Sequence, residues 1–222
     1  MSADDQKRAA AEAAAQLVQD GMRVGLGTGS TVAFLLPALA ARGLRDLRCV
    51  ATSVATEQQA RELGLPVESF EGPGALDRLD LAIDGADQVA PDGWLIKGGG
   101  GAHTREKAVA AAAERFVVIV SAEKVVDAFT WPVPLELHAF GLAATLRRLG
   151  GPERVRIREG WPRSPDNGVI ADLHVPVDDP RALAARLSAT VGVVDHGLFA
   201  PELVSEVVVA RDDGIERRTV SA

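Results

Sequence analysis

Three short stretches of this sequence concentrate glycines, hydroxyls and charges in patterns that suit chemistry. The first is Gly25-Leu26-Gly27-Thr28-Gly29-Ser30-Thr31, at the junction between a predicted strand over 23–26 and a predicted helix over 31–41. Such a junction binds phosphate, because backbone N–H groups and the positive end of the helix point at the anion while glycines let it come close. A nicotinamide dinucleotide does not fit: Ser30 stands where G-x-G-x-x-G needs its third glycine, and the second strand runs out into Ala51, Thr52 and Ser53 without an acid. A nucleoside triphosphate loop would end in Gly-Lys-Ser/Thr, which is absent here. A small phosphorylated ligand remains, with the hydroxyls of Thr28, Ser30 and Thr31 as further donors. A tight glycine-rich turn without a ligand would use the same residues.

The second stretch runs from Asp80 to Asp87 and places Asp84 and Asp87 at the carboxyl end of a predicted strand over 79–83. In open parallel sheets that end faces the ligand crevice. An aspartate capping a turn gives the same pattern, and the spacing fits both.

The third is Lys97 followed by Gly98, Gly99, Gly100 and Gly101, then His103 and Glu106. Each glycine costs about 0.5–1 kcal/mol of backbone entropy relative to alanine, so four in a row imply unusual dihedrals or a close approach, most simply by a ligand. Glu106 falls in the first turn of a predicted helix over 104–115. A carboxylate there also offsets the helix dipole, worth about 0.3–1 kcal/mol with no catalytic role. His103 reads as a loop residue near the site and not as a metal ligand, and Lys97 as either a ligand contact or a solvated charge.

The elements that must position these residues alternate. A helix over 3–20, strands over 23–26, 47–51 and 79–83, and helices over 31–41 and 56–63 are followed by the helix over 104–115 and a β-branched strand over 116–120. Alternation of this kind builds a parallel sheet, at whose strand ends the three stretches can converge on one cleft. Pro132 and Pro134 interrupt the pattern. Beyond them the order becomes strand (133–138), helix (139–149), two strands (155–158 and 169–174), helix (180–189) and strand (192–194), a ferredoxin-like β-α-β-β-α-β unit. Asp212, Asp213 and Gly214 turn a hairpin between 206–210 and 215–220. The expected fold is therefore α/β, with a Rossmann-like parallel-sheet domain over 1–130 plus 203–222. A smaller ferredoxin-like domain over 131–202 would serve as an inserted lid or dimerisation module.

Composition narrows the function classes. With 47% apolar residues the chain can bury a substantial core. A net charge of -7 and a pI near 5.2 argue against a nucleic-acid partner, which needs a basic face. Apolar runs are strand-sized, so no membrane span is expected. The amino terminus carries Asp4, Asp5, Lys7, Arg8 and Glu12 among its alanines, unlike a secretory leader, and reads as a cytoplasmic helix. Cys49, the single cysteine, lies in an apolar run and reads as a buried inert thiol. Histidines 103, 138, 174 and 196 are scattered without ligand spacing, so no structural metal site is expected.

At these residues the chain closely resembles the type A ribose-5-phosphate isomerases of the pentose phosphate pathway. The likeness spans nearly the whole sequence: the opening helix with Lys7, GTGST at 27–31, Thr52-Ser53 with Thr56-Glu57, DGAD at 84–87, KGGG at 97–100, TREK at 104–107 and the 121–127 segment with Lys124. It continues through 132–136, Asp166-Asn167-Gly168 and Gly197-Leu198-Phe199. The resemblance implies a cofactor-free, metal-free homodimeric aldose-ketose isomerase, with Glu106 as the base and Asp84, Asp87 and Lys97 at the reacting end of the sugar. It further implies that Lys7, Gly27, Thr28, Gly29, Ser30, Thr31, Gly85, Ala86, Gly98, Gly99, Gly100 and Lys124 hold the substrate. Gln88, His103 and Val169 depart from the family pattern without removing a residue given chemistry. A non-catalytic sugar-phosphate sensor would need an output element such as a basic DNA-binding helix pair, and the acidic chain has no spare segment for one. A different sugar-phosphate enzyme on a similar scaffold, such as a deaminase or lactonase, would use another acid-base set than DGAD, KGGG and TREK together.

Overall fold

The computed structural model describes residues 1–220. Its first elements are α1 (Ala3–Ala15), β1 (Arg23–Leu26), α2 (Val32–Ala40), β2 (Arg48–Ala51), α3 (Val54–Glu62), β3 (Leu81–Asp84), β4 (Gln88–Val89), β5 (Leu95–Ile96), α4 (His103–Ala112) and β6 (Phe116–Ser121). There follow β7 (Val133–Leu137), α5 (Leu142–Arg148), β8 (Val155–Ile157), β9 (Val169–Leu173), α6 (Pro180–Ser188), β10 (Val193–His196), β11 (Leu198–Phe199), β12 (Glu206–Arg211) and β13 (Gly214–Thr219). The chain divides into two units, one of Met1–Ala86, Arg105–Val125 and the stretch from Pro201, the other of Asp87–Thr104 and Val126–Ala200.

The first unit holds a six-stranded sheet in the order β13-β12-β6-β3-β1-β2, parallel except for the final hairpin partner β13. Its central strand, Phe116–Ser121, is buried at every position, as expected where helices cover both faces and the sequence is a continuous apolar run. β1 leads through α2 to β2 on one side, whereas the chain after β3 proceeds to β6 on the other. The strand order therefore reverses between β1 and β3, and a switch point of this kind leaves a crevice outside the carboxyl ends of the two strands. Helix α1 starts in a capping box, in which the Ser2 hydroxyl accepts from Asp5 N–H and the Asp5 carboxylate accepts from Ser2 N–H. It buries the small face Ala10, Ala11, Ala14 and Ala15 in the core with Leu26, Leu36 and Ile119. It stops short of the predicted residue 20, and the Arg42 guanidinium donates to the Ala15 carbonyl at its end and to the Val18 carbonyl beyond it.

The second unit contains a four-stranded antiparallel sheet in the order β10-β7-β9-β8, so the four strands of the β-α-β-β-α-β segment lie fourth, first, third, second. That is the ferredoxin-like arrangement the element order predicts. Leu149 after α5 and Leu183 and Leu187 of α6 share one apolar cluster with Leu135, Leu137, Ala171 and Leu173 of the sheet. α5 begins at Leu142, later than predicted, behind a left-handed Gly141 with φ 73°. A three-stranded sheet, β11-β5-β4, completes the unit. Its strands are two residues long, too short to leave a periodic signal, and none of them is predicted from sequence. Residues 87–104 group with this unit because Trp94, Ile96 and Leu198 enter its apolar cluster.

Candidate active site

The loop after β1 is rooted on both sides. Gly27 N–H donates to the Ile83 carbonyl at 2.9 Å, and Thr52 N–H donates to the Leu26 carbonyl at 3.0 Å. Asp84, 3% exposed at the end of β3, lies against this root. Its Oδ1 accepts from Thr28 N–H at 3.0 Å and from Gly85 N–H at 2.7 Å. A Cβ added at Gly27 would collide with that carboxylate, so glycine is required there by close approach. Thr28 turns its hydroxyl to Thr52 Oγ1 at 2.7 Å and Thr56 Oγ1 at 3.3 Å, and the Thr56 hydroxyl donates to the Gly27 carbonyl at 2.9 Å. The loop is thus braced from below by a hydroxyl cluster, while Gly29, at φ 118°, and Ser30 are exposed at its tip. Thr31 precedes α2 without spending its side chain as a cap. Gly85 and Ala86 follow β3 as half-buried backbone.

Glu106 stands in the first turn of α4, 5% exposed. It lines one small recess together with Asp84, Gly25, Gly27, Thr52 and Val109. The packing that brings it there begins at Gly25, where an added Cβ would strike the Val109 side chain. Glycine in β1 therefore lets α4 lie directly on the strand. Glu106, three residues before Val109, shares the inward face of the helix.

In the second unit, Lys97 follows β5 of the small antiparallel sheet, not a strand of the parallel sheet as the alternation predicts. It is 2% exposed, with Nζ 5.4 Å from the centroid of the Phe199 ring, and its N–H donates to the Gly197 carbonyl at 2.9 Å. The glycine run turns here: Gly98 has φ 105°, and Gly101 N–H donates to the Gly98 carbonyl at 2.9 Å. Gly99 N–H donates to Asp87 Oδ2 at 2.7 Å. His103 is not a loop residue. It is the first residue of α4, fully buried, and it packs so closely on Gly98 that a Cβ there would come within 2.7 Å of its Nδ1. Gly100, with no atom within 4 Å of an added Cβ, is exposed.

Of the remaining basic residues, Lys7 on α1 pairs with Asp4 at 3.0 Å, one residue before Arg8, whose guanidinium lies 4.6 Å from the Phe34 ring of α2. Lys124 is half-buried in a single 3-10 turn, Ala122–Lys124, that follows β6. Cys49 is fully buried, and burial pushes its thiol up to about 12, which leaves it unreactive at neutral pH. Among the described residues no cluster of three or more His, Cys, Asp or Glu side chains could hold a metal ion, and no helix is long and apolar enough to cross a membrane.

Sequence reasoning assigns no role to Thr52 and Thr56, although both fall in a segment that carries the family resemblance. Arg158 and Glu136 also escape it. Arg158 donates to two carbonyls of the glycine run, and buried Glu136 accepts from the hydroxyls of Thr104 and Ser164. Glu136 lies in β7 and Arg158 just past β8, both far in sequence from the motifs they support.

Fold and recess together define an α/β protein of the doubly wound kind, with a glycine loop and two buried carboxylates at its switch point. The pattern of the family described as ribose 5-phosphate isomerase A (phosphoriboisomerase A) matches residues 48–214. A curated ribose-5-phosphate isomerase A from Caulobacter vibrioides (strain NA1000 / CB15N) is 48% identical over 228 residues, covering 98% of this chain and 99% of the relative. The solved ribose 5-phosphate isomerase A of Methanocaldococcus jannaschii superposes with a TM-score of 0.90 at 32% identity, covering 98% of this chain and 100% of that one. A D-ribose-5-phosphate isomerase solved in complex with phospho-erythronic acid gives 0.91 at 31% identity, covering 99% and 100%. The chain belongs to the ribose 5-phosphate isomerase A family.

Proposed function

We propose that this protein interconverts D-ribose 5-phosphate and D-ribulose 5-phosphate through an enediolate, with Glu106 as the base. Moving the carbonyl between C1 and C2 of the open-chain sugar requires a proton to leave one carbon and reach the other, and one placed carboxylate can perform both transfers. The observation that carries this reading is the recess in which Glu106 and Asp84 stand beside the root of the glycine loop.

A carbon acid gives up its proton reluctantly, so negative charge on the sugar oxygens must be stabilised as it forms. Lys97 is the cationic donor assigned to that task. Asp84 and Asp87 are assigned to the sugar hydroxyls and to moving the proton between O1 and the ring oxygen when the ring opens. The loop at 27–31 takes the phosphate with backbone N–H groups, helped by Ser30, Thr31, Lys7 and Lys124, while Gly85, Ala86 and Gly98 to Gly100 offer backbone to the sugar. Binding energy from the phosphate then holds the reacting carbons in register with the base. The complex of a solved relative with phospho-erythronic acid supports this reading, since that ligand is a sugar-acid phosphate whose planar anionic carboxylate shares the flatness and charge of an enediolate.

On this reading the chain works without a cofactor or metal, as a cytoplasmic homodimer in the non-oxidative branch of the pentose phosphate pathway, as the family resemblance implies. Incubation with ribose 5-phosphate in the presence of a chelator, followed by measurement of ketose, tests substrate, reaction and metal independence together. Ketose formation at an unchanged rate is expected, and its absence overturns the reading.

A further inference from the structure

A trans peptide points its carbonyl and its N–H in opposite directions. The peptide joining Gly98 to Gly99 is held at both ends: its carbonyl accepts from Arg158 Nη1 at 3.1 Å, and its N–H donates to Asp87 Oδ2 at 2.7 Å. The same Nη1 reaches the Gly99 carbonyl at 2.9 Å. The guanidinium cannot drift, because its Nε and Nη2 donate to Asp172 at 2.8 and 2.7 Å and the Trp161 ring covers it at 4.7 Å. Gly99 has no room for a side chain, since a Cβ would come within 2.7 Å of Asp87 Oδ1.

We infer that Arg158, braced by Asp172 and Trp161, is a positioning residue for the isomerisation: it fixes the Gly98-Gly99 peptide and thereby aims the Asp87 carboxylate. This deepens the functional reading above and rests on it. A positive group on the carbonyl side also polarises the peptide and strengthens its N–H as a donor to the carboxylate. The planar fork is what the geometry needs, because a lysine could not hold Asp172 in two places while reaching two carbonyls.

The test compares Arg158→Ala, Arg158→Lys and Asp172→Asn with the wild-type chain in the ribose 5-phosphate assay. Misaiming a group by a fraction of an ångström to an ångström lowers kcat by about 10- to 100-fold for Arg158→Ala. Substrate held through its phosphate keeps KM within about twofold. Guanidinium ion at concentrations too low to denature should restore part of the kcat of Arg158→Ala and leave the wild type unchanged, whereas Arg158→Lys should recover little. A folded Arg158→Ala with wild-type kcat, or a kcat loss that only follows the unfolded fraction and ignores guanidinium, overturns the inference. If Arg158→Ala does not fold, wild-type kcat in both Arg158→Lys and Asp172→Asn overturns it equally. A silent wild type overturns the functional reading and this inference with it, an outcome distinct from active wild type with unaffected variants.

Discussion

The Asp84 carboxylate occupies the space in which a side chain on Gly27 would begin, and from there its Oδ1 accepts from Thr28 N–H at 3.0 Å. The loop assigned to the phosphate and the carboxylate assigned to the sugar are thus one packed unit. Gly27→Ala must displace one or the other, so kcat/KM should fall at least about 100-fold. Stability should fall by about 1–3 kcal/mol, as for other overpacked sites. Steady-state kinetics and denaturant melts check both. Gly74→Ala, where an added Cβ meets no atom within 4 Å, should leave them unchanged.

Glu106→Gln preserves shape and removes the carboxylate assigned as the base. Turnover should drop by at least about 100-fold, within the usual contribution of a general base, with the melting temperature close to wild type. Near-normal turnover in the folded variant would falsify the assignment.

The two ends of the substrate should separate kinetically. Lys97→Ala removes a cation assigned to charge that exists only in the transition state, so kcat falls while affinity for inorganic phosphate holds. Ser30→Ala and Thr31→Ala weaken binding of the non-reacting phosphate and should chiefly raise KM. If KM is untouched in both, the phosphate belongs elsewhere.

Away from the site, Arg23 donates to Asp80 from its backbone N–H and its guanidinium, which holds the Asp80 carboxyl below its ordinary value of 3.8. A depressed folded pKa means that the stabilisation is complete above the unfolded value and is lost as the pH falls through the folded one. Asp80→Asn should therefore be less stable than wild type at pH 7, and the gap should close as the pH drops below about 4. Denaturant melts across that range check it, and a gap that does not change with pH counts against the ion pair.

Much of the fold is legible locally. Arg23–Leu26 is strand in the structure as in the prediction, and the β-α-β-β-α-β order already implies the antiparallel sheet that forms. The Glu106 carboxylate is placed in a first helical turn by pattern alone. The two-residue strands around Lys97 are invisible, because each is held by its partner's hydrogen bonds and not by its own periodicity.

The amino-acid order by itself determined which groups are available: the glycine loop, the paired aspartates, the lysine with its glycine run, and a glutamate at a helix start. Those features depend on near neighbours along the chain, through helix and strand periods and the conformational freedom of glycine. Only the tertiary structure decided that Gly25 admits Val109 and so turns Glu106 toward Asp84, that Thr52 and Thr56 brace the loop, and that Arg158 grips the peptide facing Asp87. Each of these joins residues far apart in sequence. Close packing, which tolerates no stray methyl group, selects such contacts, and no local pattern records them.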